Sequence, residues 1–406
     1  MKIALLHYAA PPVVGGVETV LAKQAEWLTR YGHQVRILTG RGQTWDVRIP
    51  VEVIPVLDSR HLDILQIKAS LDSGYVPAEF SRMVERILMS LRTSLAGVDV
   101  LIAHNVASLH KNLPLTAALH ELSQMPEAPR IILWHHDPAW TTPRYAEELH
   151  PGYPWDLLRT AWKGVTQVTI SAARQDELAK LLQVSPTQIH VIPGGVDLPE
   201  FLCLSPHTRQ MVEKLEIATC TPLMLTPVRI TRRKNLELAL RILENLRQYL
   251  PDAVWVVTGP LGAHNPSNEE YFNDLLRLRS RLHLEGSAFF LAEIKPEGLS
   301  TPEVADFYRL ADALLLPSRE EGFGIPILEA GLGRLPIFCS DIPSLRALGG
   351  SYATYFNPDD SPEQISRQII NRLSRDSAYQ LRMQVRTAYT WQSICEQQIL
   401  PLLEKT

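Results

Sequence analysis

The sequence predicts an α/β protein built from two doubly wound, Rossmann-like domains. Two observations carry this prediction. Short apolar runs alternate with longer amphipathic stretches along the chain, and the alternation breaks once, at residues 193–222. Because strand–helix–strand alternation gives a parallel sheet covered by helices on both faces, each half should form its own sheet. The length of 406 residues suffices for two such domains.

The first half of the chain supplies the predicted elements of the first domain. We expect strands at residues 2–8, 34–38, 99–103, 130–134, 165–171 and 189–192. Apolar residues at helical spacing predict helices at residues 17–31, 79–95 and 172–182. Gly32 is a plausible end signal for the first of these helices.

The alternation restarts at residue 223 and predicts the second domain. Strands are expected at 223–228, 253–258, 288–291, 313–316 and 335–339, with helices beginning at 235 and near 271–284, 302–310 and 325–331. The predicted division is a first domain at 1–195, a linker at 196–222 with at most one short helix, and a second domain at 223–385. Ligands of such folds bind beyond the carboxyl ends of the strands, so the expected site is the cleft between the domains.

Composition and charge disfavour several classes of protein. The net charge is −4 and neither half of the chain is basic, so a dedicated nucleic-acid binder is not expected. No stretch approaches 18 consecutive apolar residues, and we expect neither a membrane span nor a signal peptide. The four scattered cysteines lack metal-ligand spacing and are typical of reduced thiols in a cytoplasmic protein.

The first loop that suggests a ligand site contains Gly15 and Gly16, where the first helix should begin. Free backbone N–H groups and the helix dipole attract an anion at such a position. A flexible turn would explain the two glycines equally well. The GxGxxG dinucleotide fingerprint is missing from this loop, which disfavours a dehydrogenase.

A stronger signal follows the strand predicted at 313–316. Gly322 and Gly324 would let backbone amides approach a ligand closely, and the carboxylates of Glu321 and Glu329 can accept hydrogen bonds from a cis-diol. The alternative is that both glutamates are surface charges. We disfavour it because the helix IPILEAG is otherwise apolar and should be buried.

Histidine and asparagine residues end two strands of the first domain. His136 follows the strand at 130–134 and should project into the cleft, and Asn105 follows the strand at 99–103 and is a candidate ligand contact. A metal site at His135-His136-Asp137 is disfavoured because no second His or Cys cluster has matching spacing.

Taken together, these motifs resemble those of the retaining GT-B glycosyltransferases of family 4. Glu321 and Glu329 have the spacing of the family's E-x7-E motif, and Arg229 and Lys234 are similar to its R-x4-K. Further similarities are IPGGVD at 192–197, where Gly194 replaces the family's usual Asn, the glycine loop at 15–18, His136-Asp137, and the aromatic-Trp motif at 389–391. The last implies a C-terminal helix, 386–406, that returns to the first domain.

The resemblance implies a donor and a role for each matched residue. The donor is a nucleotide-diphosphate sugar, UDP-, GDP- or ADP-linked, transferred with retention and without a metal or other cofactor. The implied catalytic residues are His136, Glu321, Arg229 and Lys234. The implied donor contacts are Gly15, Gly16, Arg229 and Lys234 for the phosphates, His136, Glu321, Gly322, Phe323 and Gly324 for the sugar, and Glu329 for the ribose. We expect Glu321→Ala and Lys234→Ala each to abolish transfer with the fold intact.

The acceptor and the wider partners are less constrained. A hydroxyl of a soluble metabolite or glycan is slightly favoured over a lipid as the acceptor, since the first domain lacks a concentrated basic amphipathic helix. Peripheral contact with a membrane stays open. The oligomeric state also stays open between a monomer and a homodimer. The loop 258–267 is longer than the family's, which leaves the base undetermined. Rival interpretations are an epimerase or phosphorylase of the same architecture, or a non-catalytic sugar-nucleotide sensor or assembly partner.

Overall fold

The computed structural model describes residues 1–262 and 267–404 of the chain. It divides into two compact units, one formed by Met1–Gly195 with Trp391–Thr406 and the other by Val196–Thr390. Each unit contains a sheet in which all strand pairs are parallel. The predicted α/β class with two Rossmann-like domains is therefore confirmed.

The first unit is built on a sheet with the strand order β3-β2-β1-β4-β5-β6-β7. Its strands are β1 (Lys2–Ala9), β2 (Gln34–Arg41), β3 (Val51–Val53), β4 (Val100–His104), β5 (Arg130–His135), β6 (Thr166–Thr169) and β7 (Ile189–Val191). Its longer helices are α1 (Gly16–Arg30), α2 (Leu62–Asp72), α3 (Glu79–Ser94), α4 (Leu113–Ser123) and α5 (Ala172–Leu182). Short 3₁₀ turns lie at Pro55–Leu57, His110–Asn112, Ala139–Thr141, Pro143–Glu148, Trp155–Leu158 and Pro186–Gln188.

Both faces of this sheet are covered, as the apolar strand sequences require. Successive side chains of a strand point to opposite faces. In β1, Ala4 and Leu6 pack into a core with residues of α2, α3 and α4, whereas Ile3 and Leu5 pack into another with residues of α1. Such burial on both sides explains why the strands are continuously hydrophobic rather than alternating.

The second unit has a sheet with the strand order β10-β9-β8-β11-β12-β13. Its strands are β8 (Leu223–Thr226), β9 (Val254–Val257), β10 (Ala288–Phe290), β11 (Ala313–Leu316), β12 (Ile337–Ser340) and β13 (Thr354–Phe356). Its helices are α6 (Leu198–Phe201), α7 (Pro206–Lys214), α8 (Leu236–Tyr249), α9 (Ser267–Arg281), α10 (Thr301–Leu310), α11 (Ile325–Leu332), α12 (Pro343–Gly349), α13 (Pro362–Leu373) and α14 (Ser377–Ala388), with 3₁₀ turns at Arg232–Lys234 and Leu291–Glu293.

Residues 196–222, which we expected to be a linker, instead belong to the second unit. They form α6 and α7, and Leu198, Met211 and Val212 are buried in the core of that unit. Asp197 and Ser205 cap the two helices, and each is followed by a proline in the first turn. These are ordinary helix-start signals. Because the segment is polar and rich in proline, it shows little of the apolar periodicity that predicts helices, and we therefore expected a linker.

The chain returns to the first unit at residue 391. The final segment contains α15 (Trp391–Ile394), a π-helical turn at Cys395–Ile399 and α16 (Leu400–Glu404). Ile394 and Leu402 join the core on the α1 side of the sheet. The Arg130 guanidinium donates hydrogen bonds to the carbonyl oxygens of Leu402 and Leu403 at 2.9 and 3.1 Å. This segment therefore completes one face of the first sheet.

Within residues 1–262 and 267–404, the helices are all too short or too polar to cross a membrane.

Candidate active site

Several of the candidate residues lie in loops at the point in each sheet where the strand order reverses. In the first unit, β1 and β4 are neighbours; Gly15 and Gly16 follow β1, and Asn105 follows β4. In the second unit, β8 and β11 are neighbours; the loop with Arg229 and Lys234 follows β8, and the loop with Glu321 follows β11. Open parallel sheets bind ligands at such switch points.

Lys234 and Glu321 form a buried ion pair in the second unit. The Lys234 Nζ lies 2.5 Å from Glu321 Oε1, and the two side chains are 8% and 7% exposed. The Ser318 hydroxyl donates to the same oxygen at 2.8 Å. Burial lowers the pKa of Lys234, and the carboxylate of Glu321 opposes that shift. The other carboxylate oxygen of Glu321 has no hydrogen-bond partner among the described residues and is not sealed from solvent, so it can accept from a ligand hydroxyl.

This contact changes what alanine variants of the pair would report. We expected Glu321→Ala and Lys234→Ala to leave the fold intact. Removing one member of a buried pair leaves the other charge desolvated and uncompensated, which is costly. Loss of activity in either single variant would therefore combine a local chemical loss with a loss of stability.

Asn235 fixes the two loops to one another, and sequence reasoning missed it. Its backbone is left-handed, with φ of 51°, at the start of α8. Its side-chain Nδ2 donates to the carbonyl oxygen of Pro317 at 3.1 Å, and the backbone N–H of Arg319 donates to the carbonyl oxygen of Arg233 at 2.9 Å. Asparagine tolerates left-handed backbone better than most residues, so an Asn just before a helix was the available signal.

The two glycines of the loop after β11 differ in what they require. Gly324 has φ of +100°, a conformation that favours glycine, and a Cβ there would lie 2.7 Å from Leu345 Cδ2, so that side chain would have to shift. A Cβ at Gly322 would meet nothing within 4 Å. Protein packing therefore does not explain Gly322, whereas approach of a ligand would. Phe323, between them, is 58% exposed.

Glu329 lies on α11 and is held by a residue that the sequence did not single out. The buried Tyr308 of α10 donates its hydroxyl to Glu329 Oε2 at 2.6 Å. Burial, with Glu329 beside it, raises the pKa of Tyr308. Our expectation that this apolar helix is buried was wrong, because Ile325, Leu328 and Leu332 are 57%, 46% and 88% exposed. Ile327 and Ala330, on the other face of the helix, enter the core, so packing accounts for only part of its apolar composition.

Arg229 is exposed in the loop after β8, and no ion pair or hydrogen bond holds its side chain within the described ranges. A Cβ on Gly259 would lie 2.6 Å from the backbone N of Arg229, so this glycine permits the loops after β8 and β9 to touch. Residues 263–266 of the long loop at 258–267 lie outside the described residues. A guanidinium without an internal carboxylate partner is available to an anion.

In the first unit, two residues at the end of β4 contact His136: His104, the last residue of the strand, and Asn105, which follows it. The Asn105 Oδ1 accepts hydrogen bonds from the backbone N–H groups of His136 and Asp137 at 2.8 and 3.2 Å. His104 Nδ1 lies 3.2 Å from His136 Nε2. Burial lowers the pKa of His136 to about 3, with His7 and His135 adding to the effect. The side-chain Oδ1 of Asn105 thus holds the backbone of His136 and Asp137 in place, beside any contact that Asn105 makes with an acceptor.

His135 is separated from that group by its own hydrogen bonds. Its Nδ1 lies 2.7 Å from the Ser108 hydroxyl, and its Nε2 lies 2.7 Å from Gln167 Oε1. Burial lowers the pKa of His135 to about 4. His135, His136 and Asp137 therefore do not converge on one point, as a metal site there would need.

A different group of ligand-type side chains comes together at Asp72, His110 and Glu148. The Lys68 ammonium already lies between the two carboxylates, 2.5 Å from Asp72 Oδ2 and 2.7 Å from Glu148 Oε2. This positive charge occupies the position that a metal ion would take, so the cluster is a salt-bridge network.

Gly15 and Gly16 begin α1, and their surroundings differ. A Cβ on Gly15 would lie 2.1 Å from Glu18 Oε2, whereas one on Gly16 would meet nothing within 4 Å. Glu18 Oε1 also lies 3.9 Å from His7 Nε2. Gly16 is exposed at the first turn of a 15-residue helix, where unpaired N–H groups favour an anion.

Two Rossmann-like units, each with its ligand-type loops at a switch point, fit the GT-B class of glycosyltransferase fold. Comparison with known families agrees. The family described as "Glycosyltransferase Family 4" matches residues 14–200, and that described as "Glycosyl transferases group 1" matches residues 208–389. The chain is therefore a glycosyltransferase and belongs to the group 1 glycosyltransferases of family 4.

Characterised relatives are distant but span most of the chain. The mannosylglucosylglycerate synthase of Petrotoga mobilis is 25% identical over 370 residues, which is 84% of this chain and 83% of the relative. The MMP alpha-(1->4)-mannosyltransferase of Mycolicibacterium hassiacum is 23% identical and covers 98% of this chain and 97% of its own. The crystal structure of a glycosyltransferase from Rickettsia africae is 16% identical over the whole of both chains with a TM-score of 0.38, too low to add to the assignment.

Proposed function

We propose that this protein transfers a hexosyl group from a nucleotide-diphosphate sugar to a hydroxyl of a small acceptor, with retention of anomeric configuration and without a metal ion. The observation that carries the proposal is the buried Lys234–Glu321 pair at the β8/β11 switch point, with one carboxylate oxygen left open and the unpaired Arg229 in the same loop as Lys234. A cation that can bind phosphate thus lies beside a carboxylate oxygen that can accept hydrogen bonds from sugar hydroxyls, and this arrangement suits a sugar linked to a diphosphate.

The charges of the second unit fit the leaving group. Departure of a nucleoside diphosphate places about two negative charges on its oxygens in the transition state, and preorganised positive charge is usually the largest catalytic contribution. Arg229 supplies a planar fork that can bind two phosphate oxygens, and Lys234 supplies a point charge. These two cations perform the neutralisation for which other transferases use a metal ion.

The remaining residues position the donor. Glu321 accepts from sugar hydroxyls through its open oxygen, and the amides of Gly322, Phe323 and Gly324 add further contacts. Glu329 binds the ribose, with Tyr308 holding its other oxygen. In the first unit, Gly15 and Gly16 bind the phosphates at the start of α1, His136 contacts the sugar, and Asn105 contacts the acceptor.

Retention follows from a front-face reaction. The leaving phosphate takes the proton of the acceptor hydroxyl while the protein holds both groups in place, so no general base is assigned. Double displacement would require a carboxylate nucleophile on the β face of the sugar. Glu321, whose charge is committed to Lys234, is poorly suited to that task.

The acceptor is a soluble metabolite or glycan. Two relatives are named for small soluble glycosides: the mannosylglucosylglycerate synthase, matched over 84% of this chain, and the mannosylfructose-phosphate synthase of Agrobacterium fabrum, matched over 53% of it. Since several relatives are named mannosyltransferases, GDP-mannose is the first donor to test, with UDP- and ADP-sugars beside it.

Calorimetric titration of the whole chain with a panel of UDP-, GDP- and ADP-sugars tests the proposal. We expect one donor to bind with slow or no hydrolysis, and transfer to appear when hydroxyl acceptors are added. NMR of the anomeric proton of the product reports retention directly, and chelators should leave the rate unchanged. Rapid turnover without acceptor, or with inorganic phosphate alone, would favour an epimerase or phosphorylase; binding without any turnover would favour a sensor.

A further inference from the structure

We propose that His104 is a positioning residue that holds His136 as the neutral tautomer protonated on Nδ1, so that His136 presents an N–H donor to an oxygen of the bound sugar nucleotide. The identity of the ligand as a sugar nucleotide rests on the proposed function, whereas the tautomer of His136 is a property of the protein alone. His136 thereby acts as a hydrogen-bond donor and not as a base.

The two rings meet because their strands are neighbours. His104 is the last residue of β4, His136 follows the end of β5, and β4 pairs with β5 in parallel. His104 is fully buried, with Trp134 stacked at 5.5 Å between ring centroids and 30° between ring planes. The contact at 3.2 Å joins Nδ1 of His104 to Nε2 of His136, so one of these two nitrogens carries the hydrogen and the other accepts it.

The second nitrogen of His104 decides which ring is the donor. His104 Nε2 is buried and has no hydrogen-bond partner in the described part of the chain. If His136 donated from Nε2, His104 would have to carry its own hydrogen on Nε2, as a buried N–H without an acceptor. If His104 donates from Nδ1, its Nε2 is a bare acceptor. Orphaned buried N–H groups are the rarer and costlier of the two defects, so the second arrangement is favoured.

The surrounding groups keep the pair neutral. Burial holds the pKa of His104 well below its usual range, with His136 and His7 contributing. His7 Nδ1 donates to the carbonyl oxygen of His104 at 2.8 Å, and the nearest acidic contact of the cluster, Glu18, faces His7. His135 bonds to Ser108 and Gln167 instead. A doubly protonated ring would therefore bring charge into a site with no facing carboxylate on either His104 or His136.

The consequence for the site is a directed donor. With Nε2 of His136 accepting from His104, the hydrogen of His136 is on Nδ1. That atom has no partner among the described residues, and it is not sealed from solvent as His104 Nε2 is. It can donate to a sugar hydroxyl or a phosphate oxygen, and it cannot accept a proton without becoming an imidazolium.

Long-range ¹H–¹⁵N spectra of the whole chain labelled with ¹⁵N-histidine read the tautomer directly. In wild-type protein near pH 7 we expect the His136 Nδ1 resonance in the protonated range and Nε2 in the unprotonated range. His104→Phe removes the donor and should return His136 towards the Nε2–H form, whereas His104→Asn keeps an N–H donor and should restore the Nδ1–H form. Gln167→Leu is the matched control, since it alters the partner of His135 and should leave His136 unchanged.

Kinetics of the same variants test the contact with the ligand. His104→Phe should lower kcat/KM about tenfold, the effect of losing one neutral hydrogen bond, and His104→Asn should recover most of it. A wild-type His136 protonated on Nε2 would overturn the inference, whether or not His104→Phe folds. The expected tautomer in a protein that turns over no sugar nucleotide would refute the proposed function while supporting the role of His104.

Discussion

At the scale of single residues, the ion pair between Lys234 and Glu321 links the stability of the second unit to its chemistry. Each side chain is nearly buried, and each serves as the principal charge partner of the other. A ligand that takes the open oxygen of Glu321 binds to a group whose position the lysine already fixes. Preorganisation of this kind is expected where charge develops during a reaction.

We predict a strong non-additive effect on stability at this pair. Lys234→Met strands the Glu321 carboxylate, so we expect a loss of about 3 kcal/mol in the free energy of unfolding. The double variant Lys234→Met with Glu321→Gln has no buried charge and should recover much of that loss, but transfer should stay below detection in both. Urea unfolding and a transfer assay measure the two quantities. A single variant as stable as wild type would refute the buried pair, and an active double variant would refute the site.

At the scale of elements, the loops after β8 and β11 act as one support. Asn235 and the backbone bond between Arg319 and Arg233 tie them together, and α10 reaches α11 through Tyr308. The groups proposed to bind sugar, phosphate and ribose are therefore each held by a hydrogen bond from a neighbouring element.

Tyr308→Phe tests the link between α10 and α11. Without the hydroxyl, Glu329 loses the bond that fixes one of its oxygens, so we expect nucleoside diphosphate to bind several-fold more weakly, with KM raised and kcat nearly unchanged. Calorimetry of nucleoside diphosphate binding is the measurement. Tyr271→Phe is the matched control, because the Tyr271 hydroxyl bonds to Glu237 and the Leu236 backbone instead. Equal weakening in both variants would mean that the effect is general loss of stability.

At the scale of the whole molecule, buried histidines distinguish the two units. His7, His104, His135 and His136 are buried in the first unit, and burial lowers the pKa of each. In the unfolded chain these histidines bind protons below about pH 6.5. In the folded chain, His135 stays neutral down to about pH 4 and His136 down to about pH 3. The unfolded state therefore binds more protons in this window, and stability must fall as the pH falls.

We predict that the first unit opens before the second on acidification from pH 6.5 to pH 4. Each shift of one pKa unit corresponds to about 1.4 kcal/mol, so His135 alone contributes about 3 kcal/mol. Hydrogen exchange of the full chain, followed by mass spectrometry at several pH values, measures opening in each unit separately. Earlier loss of protection in the second unit would contradict the prediction. Replacing His135 with Gln should reduce the pH dependence.

The fold was predictable to the extent that its elements leave a local pattern. The longer buried strands and several amphipathic helices were found within a few residues of their ends, but no bounds were predicted for α2, α13 or α14. The edge strands β3 and β13 were missed because three residues show no periodicity. Helix α4 was missed because it is buried on nearly all sides, so its apolar residues do not form a stripe. Segment 196–222 was misread because its two short helices each have a proline in the first turn and carry little apolar surface.

By itself, the sequence determined the α/β class, the parallel sheets and the loops that bear the candidate chemistry, because periodicity and turn residues are local properties. Only the tertiary structure decided that Lys234 is paired with Glu321, that Tyr308 holds Glu329, and that His104 meets His136. Those partners lie 87, 21 and 32 positions apart in the chain. The first and third pairs meet because neighbouring strands of a parallel sheet bring distant loops to the same edge, and the second because a side chain of α10 reaches α11. No local sequence pattern records either kind of contact.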